Sequence, residues 1–145
     1  MKTNLPLLTT MFILGFLNIV YANSHERERI SEQDEYCRGD VALVKTGEIV
    51  FKQCRSCHQF GPAAKHGVGP VLNDVLNSAA GSKIEYKYSD AFKKVSARGL
   101  RWDILNINEF LIHPGKFIPG TAMKFRGLSY EGDRQAVIAF LACSK

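Results

Sequence analysis

Two cysteines and a histidine fall within five consecutive positions of this sequence, in the segment CRSCH. Cys54 and Cys57 are three residues apart, and His58 follows directly. On one turn of helix, this spacing projects both thiols to the same side. Four kinds of site use paired cysteines at this distance: a disulfide, a zinc ion, a redox-active dithiol and a covalently attached haem.

The surrounding sequence separates these four sites. A redox dithiol normally opens a helix after a strand, and no strand pattern precedes Cys54. A structural zinc site needs a fourth ligand and usually a second paired motif, which the sequence lacks. A disulfide between Cys54 and Cys57 gives His58 no role. The spacing C-x-x-C-H instead predicts one haem c, held by two thioethers, with His58 as an iron ligand.

A second iron ligand can come from a methionine or another histidine. Met123 lies in the irregular segment IPGTAMKF, from which a loop could cross the opposite haem face. His113 is the rival, although a histidine at a helix end is more often a hydrogen-bonding residue. His66 follows His58 by only eight positions, and His25 lies in an acidic segment. A lone methionine is more often core filler than ligand, so the residues alone leave Met123 and His113 both open.

The first 22 residues have the pattern of an export signal. Lys2 precedes an apolar run that is densest over residues 11–20, and small residues at alternate positions end at Ala22. We predict cleavage after Ala22, which leaves Met123 as the only methionine. A retained membrane anchor is the alternative, because the stretch is only slightly shorter than the ~20 residues that span a bilayer.

Charge is unevenly distributed along the rest of the chain. Residues 23–38 are polar and are predicted to form an acidic flexible tail, and residues 39–145 a single domain. Fifteen basic and eight acidic residues lie in positions 41–145, a surplus of seven positive charges. Such a surface suits an acidic protein, an anionic lipid or nucleic acid. Export argues against nucleic acid.

Three amphipathic helices are predicted, and no segment shows sustained strand alternation. Asp40 is expected to cap a helix that runs through Gln53, and Asp103 to cap a second helix. Ser129 or Asp133 is expected to begin the last helix. The connections are long and rich in glycine and proline, which predicts an all-α fold whose loops are organised by a cofactor.

The sequence resembles the class I c-type cytochromes, the family of mitochondrial cytochrome c and its soluble bacterial periplasmic relatives. The resemblance covers about residues 40–142 and includes CRSCH, GVGPVL, YKYSDAF, Trp102, FIPGTAMKFRGL and IAFL. It implies three main helices and long loops around one haem, with Gly47 allowing the first helix to cross the last closely. Several positions depart from the family, among them Ser78, where an arginine is usual, and Phe110, where a tyrosine is common.

The resemblance also implies roles for individual residues. Met123 is expected to be the sixth iron ligand, opposite His58. Pro70 is expected to accept a hydrogen bond from the free ring nitrogen of His58, which fixes the imidazole. Tyr88 and Trp102 are expected to hydrogen-bond the haem propionates, and both are also expected to pack in the core.

The function implied by the resemblance is that of a soluble, periplasmic one-electron carrier in a respiratory or photosynthetic chain, not an enzyme. The expected donor is a quinol:cytochrome c oxidoreductase, and the expected acceptor is a cytochrome c oxidase or a photosynthetic reaction centre. We expect a monomer that docks through a basic rim, formed by Lys52, Arg55, Lys65, Lys116 and Lys124. The alternatives are a peroxidase-like haem enzyme or sensor with a labile Met123, and an exported zinc-binding module.

Two further cysteines, Cys37 and Cys143, are not used by the haem motif. In the resembling fold the first and last helices cross, so the two ends of the domain can lie close together. We predict a disulfide between Cys37 and Cys143 in an oxidising compartment. Two separate thiols are the alternative.

Overall fold

The computed structural model describes residue 37 and residues 40–144. The chain divides after Tyr36, and every element given below lies in the unit that begins at Cys37. The predicted export signal and nearly all of the predicted acidic tail lie outside the described residues. Within the described residues, no helix has the length and apolar character needed to cross a membrane.

Five helices follow one another along the described chain. They are α1 (Val41–Phe51), α2 (Asp90–Ala97), α3 (Ile104–Ile112), α4 (Pro114–Phe117) and α5 (Glu131–Cys143). The rest of residues 40–144 forms turns and loops, apart from one isolated antiparallel bridge between Ala79 and Arg101. The predicted all-α fold with long loops is confirmed.

Helices α1 and α5 cross in close contact at Gly47. A Cβ atom on Gly47 would lie 1.9 Å from the carbonyl oxygen of Ala136 and 2.7 Å from the Cβ of Phe140. The rings of Phe51 and Phe140 pack beside this crossing, with centroids 5.0 Å apart. Only glycine allows this approach, which confirms the crossing expected from the resemblance.

Two of the predicted helix starts are confirmed. The Asp40 carboxylate accepts a hydrogen bond from the Leu43 amide at the start of α1, and the Asp103 carboxylate caps α3 in the same way. The predicted end of the first helix at Gln53 is wrong by two residues. After Phe51 the backbone tightens, and amides bond to carbonyls three residues back instead of four.

The predicted start of the last helix is wrong. Tyr130 occupies the N-cap of α5, and no side chain caps the helix. The backbone carbonyl of Ser129 instead accepts a hydrogen bond from the Arg134 guanidinium. Asp133 lies within the first turn, where its charge is favourable to the helix dipole.

Helices α2 and α4 lie in segments that the sequence did not predict to be helical. The Ser89 hydroxyl caps α2 by accepting a hydrogen bond from the Phe92 amide, at 3.3 Å. No residue of α2 is fully buried, but Ala91, Phe92 and Val95 pack against the core. Helix α4 is a single turn with Pro114 at its first position, a favoured place for proline.

The core lies between α1, α3 and α5 and includes the loop residues on either side of α3 and α4. Its large members are Phe51, Trp102, Ile107, Phe110, Leu111, Ile118, Leu128, Ile138, Phe140 and Leu141. Cys54, Leu72 and Met123 are half-buried and pack against this cluster. Residues of the predicted site are therefore continuous with the core.

A disulfide joins Cys37 to Cys143. The sulfur atoms are 2.06 Å apart and the Cα atoms 5.3 Å apart, across a sequence separation of 106. The bond connects Cys37, four residues before the start of α1, to the last residue of α5. The predicted pairing of these two cysteines is confirmed.

Candidate functional site

The CRSCH segment continues directly from the end of α1 as tight turns. The Cys54 amide donates to the Phe51 carbonyl at 2.8 Å, and the His58 amide donates to the Cys54 carbonyl at 2.9 Å. Cys54 is half-buried and Cys57 is exposed, and neither thiol is in a disulfide. The two thiols are thus free to form thioethers.

His58 is buried, and its ring is oriented by Pro70. Its Nδ1 lies 2.7 Å from the Pro70 carbonyl oxygen. Because a carbonyl oxygen can only accept, Nδ1 carries the hydrogen and Nε2 keeps its lone pair. The structure therefore places Pro70 as the resemblance implied and leaves Nε2 as the atom that can bind iron.

Gly69 lets the backbone pass directly over the His58 ring. A Cβ atom at this position would lie 2.3 Å from His58 Cε1, which no side chain tolerates. The Gly69 amide also donates to the Cys57 carbonyl at 2.8 Å. The GVGP loop is consequently held against the CRSCH segment by two hydrogen bonds, one to the His58 ring and one to the Cys57 carbonyl.

Burial changes the acid–base properties of two residues in the motif. Desolvation lowers the pKa of His58 below its ordinary value, and the hydrogen bond to Pro70 opposes this only in part. Burial, with a smaller contribution from Cys57, raises the pKa of the Cys54 thiol to about 11. The imidazole is thus held neutral, which is the form that ligates a metal.

Met123 lies in the loop between α4 and α5. Its side chain is half-buried against the core, and its amide donates to the Thr121 hydroxyl at 3.3 Å. Thr121 is buried, and its own amide donates to the Ile118 carbonyl at 3.0 Å. Successive hydrogen bonds therefore fix the backbone that leads to Met123.

The other histidines of the described chain are placed differently. The Val71 amide donates to His66 Nδ1 at 3.1 Å, and His66 Nε2 donates to the Ile84 carbonyl at 2.9 Å. Both ring nitrogens of His66 are thus occupied. His113 lies between α3 and α4, where its side chain is exposed and makes no capping hydrogen bond. The hydrogen bonds predicted for His113 at the helix end are instead accepted by its backbone carbonyl. His25 lies outside the described residues.

Tyr88 and Trp102 belong to a row of aromatic rings that links α2 to α3. Tyr88 stacks on Phe92 with centroids 4.9 Å apart, and Trp102 lies 5.0 Å from Phe110. Trp102 is buried, and Phe92 lies between it and Tyr88. Both residues therefore pack as expected, and their contacts to propionates stay a prediction.

All five residues of the predicted basic rim are exposed, namely Lys52, Arg55, Lys65, Lys116 and Lys124. The guanidinium of Arg55 lies over the Phe51 ring, 5.9 Å from its centroid, and 3.8 Å from the Glu48 carboxylate. These charges are accessible to a partner.

Sequence reasoning missed the buried arginine of α5. Arg134 precedes Val137, Ile138 and Leu141 by three, four and seven positions, so helical spacing places it on the buried face. That spacing was the available signal. The contacts of His66, by contrast, join residues 5 and 18 positions away and have no local sequence signal.

Taken together, these residues fit a haem attached through two thioethers. Cys54 and Cys57 supply two unpaired thiols one turn apart. His58 supplies a neutral imidazole with a fixed tautomer. Gly69 supplies the close backbone approach that fixes the ring.

The comparisons with known proteins agree with this arrangement. No family model matches the sequence. The chain is 52% identical to the cytochrome c2 of Rhodomicrobium vannielii over 107 aligned residues. These residues make up 74% of this chain and 81% of that protein. It is 46% identical to the cytochrome c2 of Rhodoblastus acidophilus over 96 residues, 66% of this chain and 87% of that protein. The solved structure of cytochrome c2 from Rhodospirillum centenum superposes with a TM-score of 0.65 at 34% identity, covering 68% of this chain and 94% of that one.

Proposed function

This chain belongs to the class I c-type cytochromes, and from that premise we propose that it serves a respiratory or photosynthetic chain with His58 and Met123 as axial iron ligands. Its relatives are electron carriers and not enzymes, and their cofactor is covalently bound haem c. The observation that carries the proposed ligation is the hydrogen bond between His58 Nδ1 and the Pro70 carbonyl.

Each residue of the site has a defined task in this proposal. Cys54 and Cys57 hold the cofactor through thioethers, and His58 ligates the iron through Nε2. Haem supplies the one-electron couple between Fe(III) and Fe(II). Met123 would supply the second ligand to the iron, and a haem held by His58 and Met123 would have no open position for a substrate.

Met123 and burial act on the reduction potential in the same direction. A thioether sulfur favours the ferrous state relative to a second imidazole. The half-buried position of Met123 against the core also limits solvation, which disfavours the additional charge of the ferric state. Both effects raise the potential.

The remaining proposals concern location and partners. We propose that residues 1–22 are an export signal cleaved after Ala22, that residues 23–38 form a tail, and that residues 39–145 form the haem domain in the periplasm. The donor is a quinol:cytochrome c oxidoreductase, and the acceptor is a cytochrome c oxidase or a photosynthetic reaction centre. The exposed basic rim supports docking to acidic surfaces on both.

Optical spectra of the purified exported protein, oxidised and reduced, test the ligation. We expect strong visible haem bands in both states and a weak far-red band in the ferric state, which is the signature of a methionine ligand. Replacing both Cys54 and Cys57 by serine should release the haem on denaturation. A ferric spectrum without the far-red band would contradict ligation by Met123.

A further inference from the structure

Arg134 is a buried cation without a carboxylate partner among the described residues. Only 7% of its surface is exposed, and it takes part in neither of the ion pairs found in the described chain. Burying a charge is costly unless hydrogen bonds replace its hydration. Its position in the first turn of α5 adds to the cost, because the helix dipole disfavours a cation there.

Three neutral acceptors replace the water that Arg134 loses. Its Nε donates to the Asn108 side-chain oxygen at 2.9 Å. One terminal nitrogen donates to the carbonyls of Leu128 at 2.8 Å and Ser129 at 2.9 Å. Hydrogen bonds from a charged donor are the strong ones in proteins. The guanidinium thus joins α5 to α3 and to the loop that precedes α5.

The loop held by Arg134 is the one that carries Met123. Its first part is fixed by the Thr121 amide bonding to the Ile118 carbonyl at 3.0 Å. Near its end, a Cβ atom on Gly127 would lie 2.0 Å from the Ile112 carbonyl oxygen. The amide of the next residue, Leu128, donates a hydrogen bond to the Leu111 carbonyl at 2.8 Å. The loop is therefore fastened at both ends, with Met123 between them.

We propose that Arg134 is a positioning residue that fastens the end of the Met123 loop and thereby limits detachment of the methionine from iron. This inference rests on the proposed ligation by Met123. Leu128 is bound from two sides, by its amide to α3 and by its carbonyl to Arg134. Loss of the guanidinium frees the carbonyls of Leu128 and Ser129, and the loop opens more often.

Imidazole binding to the ferric holoprotein measures this opening, because exogenous imidazole must displace Met123. The apparent affinity of a ligand rises in proportion to the population of the competent, open state. Arg134→Lys keeps the charge but lacks the fork that reaches all three acceptors. We expect about tenfold tighter imidazole binding in this variant.

Two controls separate loop opening from general instability. Arg126→Lys changes an exposed arginine of the same loop and should leave imidazole affinity unchanged. Val50→Ala removes buried volume from α1, and it should lower the free energy of unfolding without the tenfold gain in affinity. The proposal would be overturned if Arg134→Lys bound imidazole no more tightly than wild type. It would also be overturned if Val50→Ala gained as much imidazole affinity as Arg134→Lys.

A second readout does not depend on which residue ligates the iron. Exchange of the Leu128 amide hydrogen, followed by NMR, should be about tenfold faster in Arg134→Lys than in wild type, since the same opening exposes it. Asn108→Ala removes one of the three acceptors of Arg134. It should raise imidazole affinity and the rate of Leu128 exchange, each by less than Arg134→Lys does. This variant keeps the proposal testable if Arg134→Lys does not fold. Absence of the far-red band in wild type would reject Met123 as ligand, whereas unchanged Leu128 exchange would reject the role of Arg134.

Discussion

His58 owes its orientation to two consecutive residues of one loop. Pro70 accepts its Nδ1 hydrogen and Gly69 lies against its ring. The motif CRSCH made His58 predictable from spacing alone, because the chemistry of thioether attachment requires that spacing. The loop that orients it was predictable only through the family resemblance, since nothing local in GVGP indicates which ring it covers.

Met123→Ala should lower the reduction potential and open an iron position to small ligands. The physical reason is loss of the thioether, which favours the ferrous state. A decrease on the order of 0.1 V is expected, within the roughly 0.8 V that axial ligands span. Potentiometry of the purified protein measures it. His113→Ala is the matched control, and a potential that responds to His113 and not to Met123 would transfer the ligand role.

Tyr88 should be among the last tyrosines to ionise as pH rises. Burial is the largest cause that raises its pKa above the ordinary value of 10.0, and a backbone hydrogen bond with Lys83 opposes it. An absorbance titration at the phenolate band, compared between wild type and Tyr88→Phe, should lose its most alkaline step in the variant. Loss of an early step instead would contradict the burial of Tyr88.

The same shift in the pKa of Tyr88 has a consequence for stability. The folded chain keeps a proton that the unfolded chain releases near pH 10. This contribution to the free energy of unfolding is fully present below about pH 10 and is lost as pH rises through the folded pKa. Tyr88→Phe should therefore flatten the alkaline decline of the unfolding midpoint.

Among the five helices of the described chain, the sequence indicated α1, α3 and α5 and missed α2 and α4. Helix α5 buries seven of its thirteen residues, and α1 and α3 have clear caps in Asp40 and Asp103. Helix α2 has no fully buried residue, but Ala91, Phe92 and Val95 lie at helical spacing and pack against the core, so it was missed although its pattern is amphipathic. Its signals were the Ser89 cap and the charges that follow, Asp90 in the first turn and Lys94 in the last.

Gly47→Ala should destabilise the crossing of α1 and α5 by about 3 kcal/mol, the upper part of the usual range for overpacking. The added Cβ would meet backbone of α5 at 1.9 Å, and backbone cannot rotate away as a side chain can. Gly115→Ala is the matched control, because its Cβ would find its nearest neighbour at 3.6 Å. Denaturant unfolding of the holoproteins compares the two. Equal midpoints would show that the helices can separate at little cost.

The whole molecule carries its positive charge in the folded domain. Residues 41–145 have a surplus of seven positive charges, and residues 23–40 a surplus of three negative ones. This division was readable from the sequence because charge needs no fold to be counted. A count of charges does not tell which of the fifteen basic residues are accessible, and for the buried Arg134 the available signal was its helical spacing in α5.

Association with the redox partner should weaken steeply as ionic strength rises. The basic rim is exposed, and exposed charges are screened beyond about 8 Å at physiological salt. Stopped-flow association rates across a salt series measure the effect, with the double variant Lys52→Gln, Lys65→Gln as a test of the rim itself. A flat dependence in wild type would show that the rim does not dock.

The disulfide between Cys37 and Cys143 acts on the whole domain because it closes almost the entire folded chain. Loop-closure entropy for a separation of 106 residues sets an upper limit of about 4 to 5 kcal/mol of stabilisation. The gain should be smaller, since thioethers at Cys54 and Cys57 already restrain the unfolded chain inside that loop. The double variant Cys37→Ser, Cys143→Ser should therefore bind haem normally and unfold at a lower denaturant concentration. Reductant should lower the midpoint of wild type and leave that of the double variant unchanged. Alkylation of both thiols in native, unreduced protein would show instead that the bond does not form.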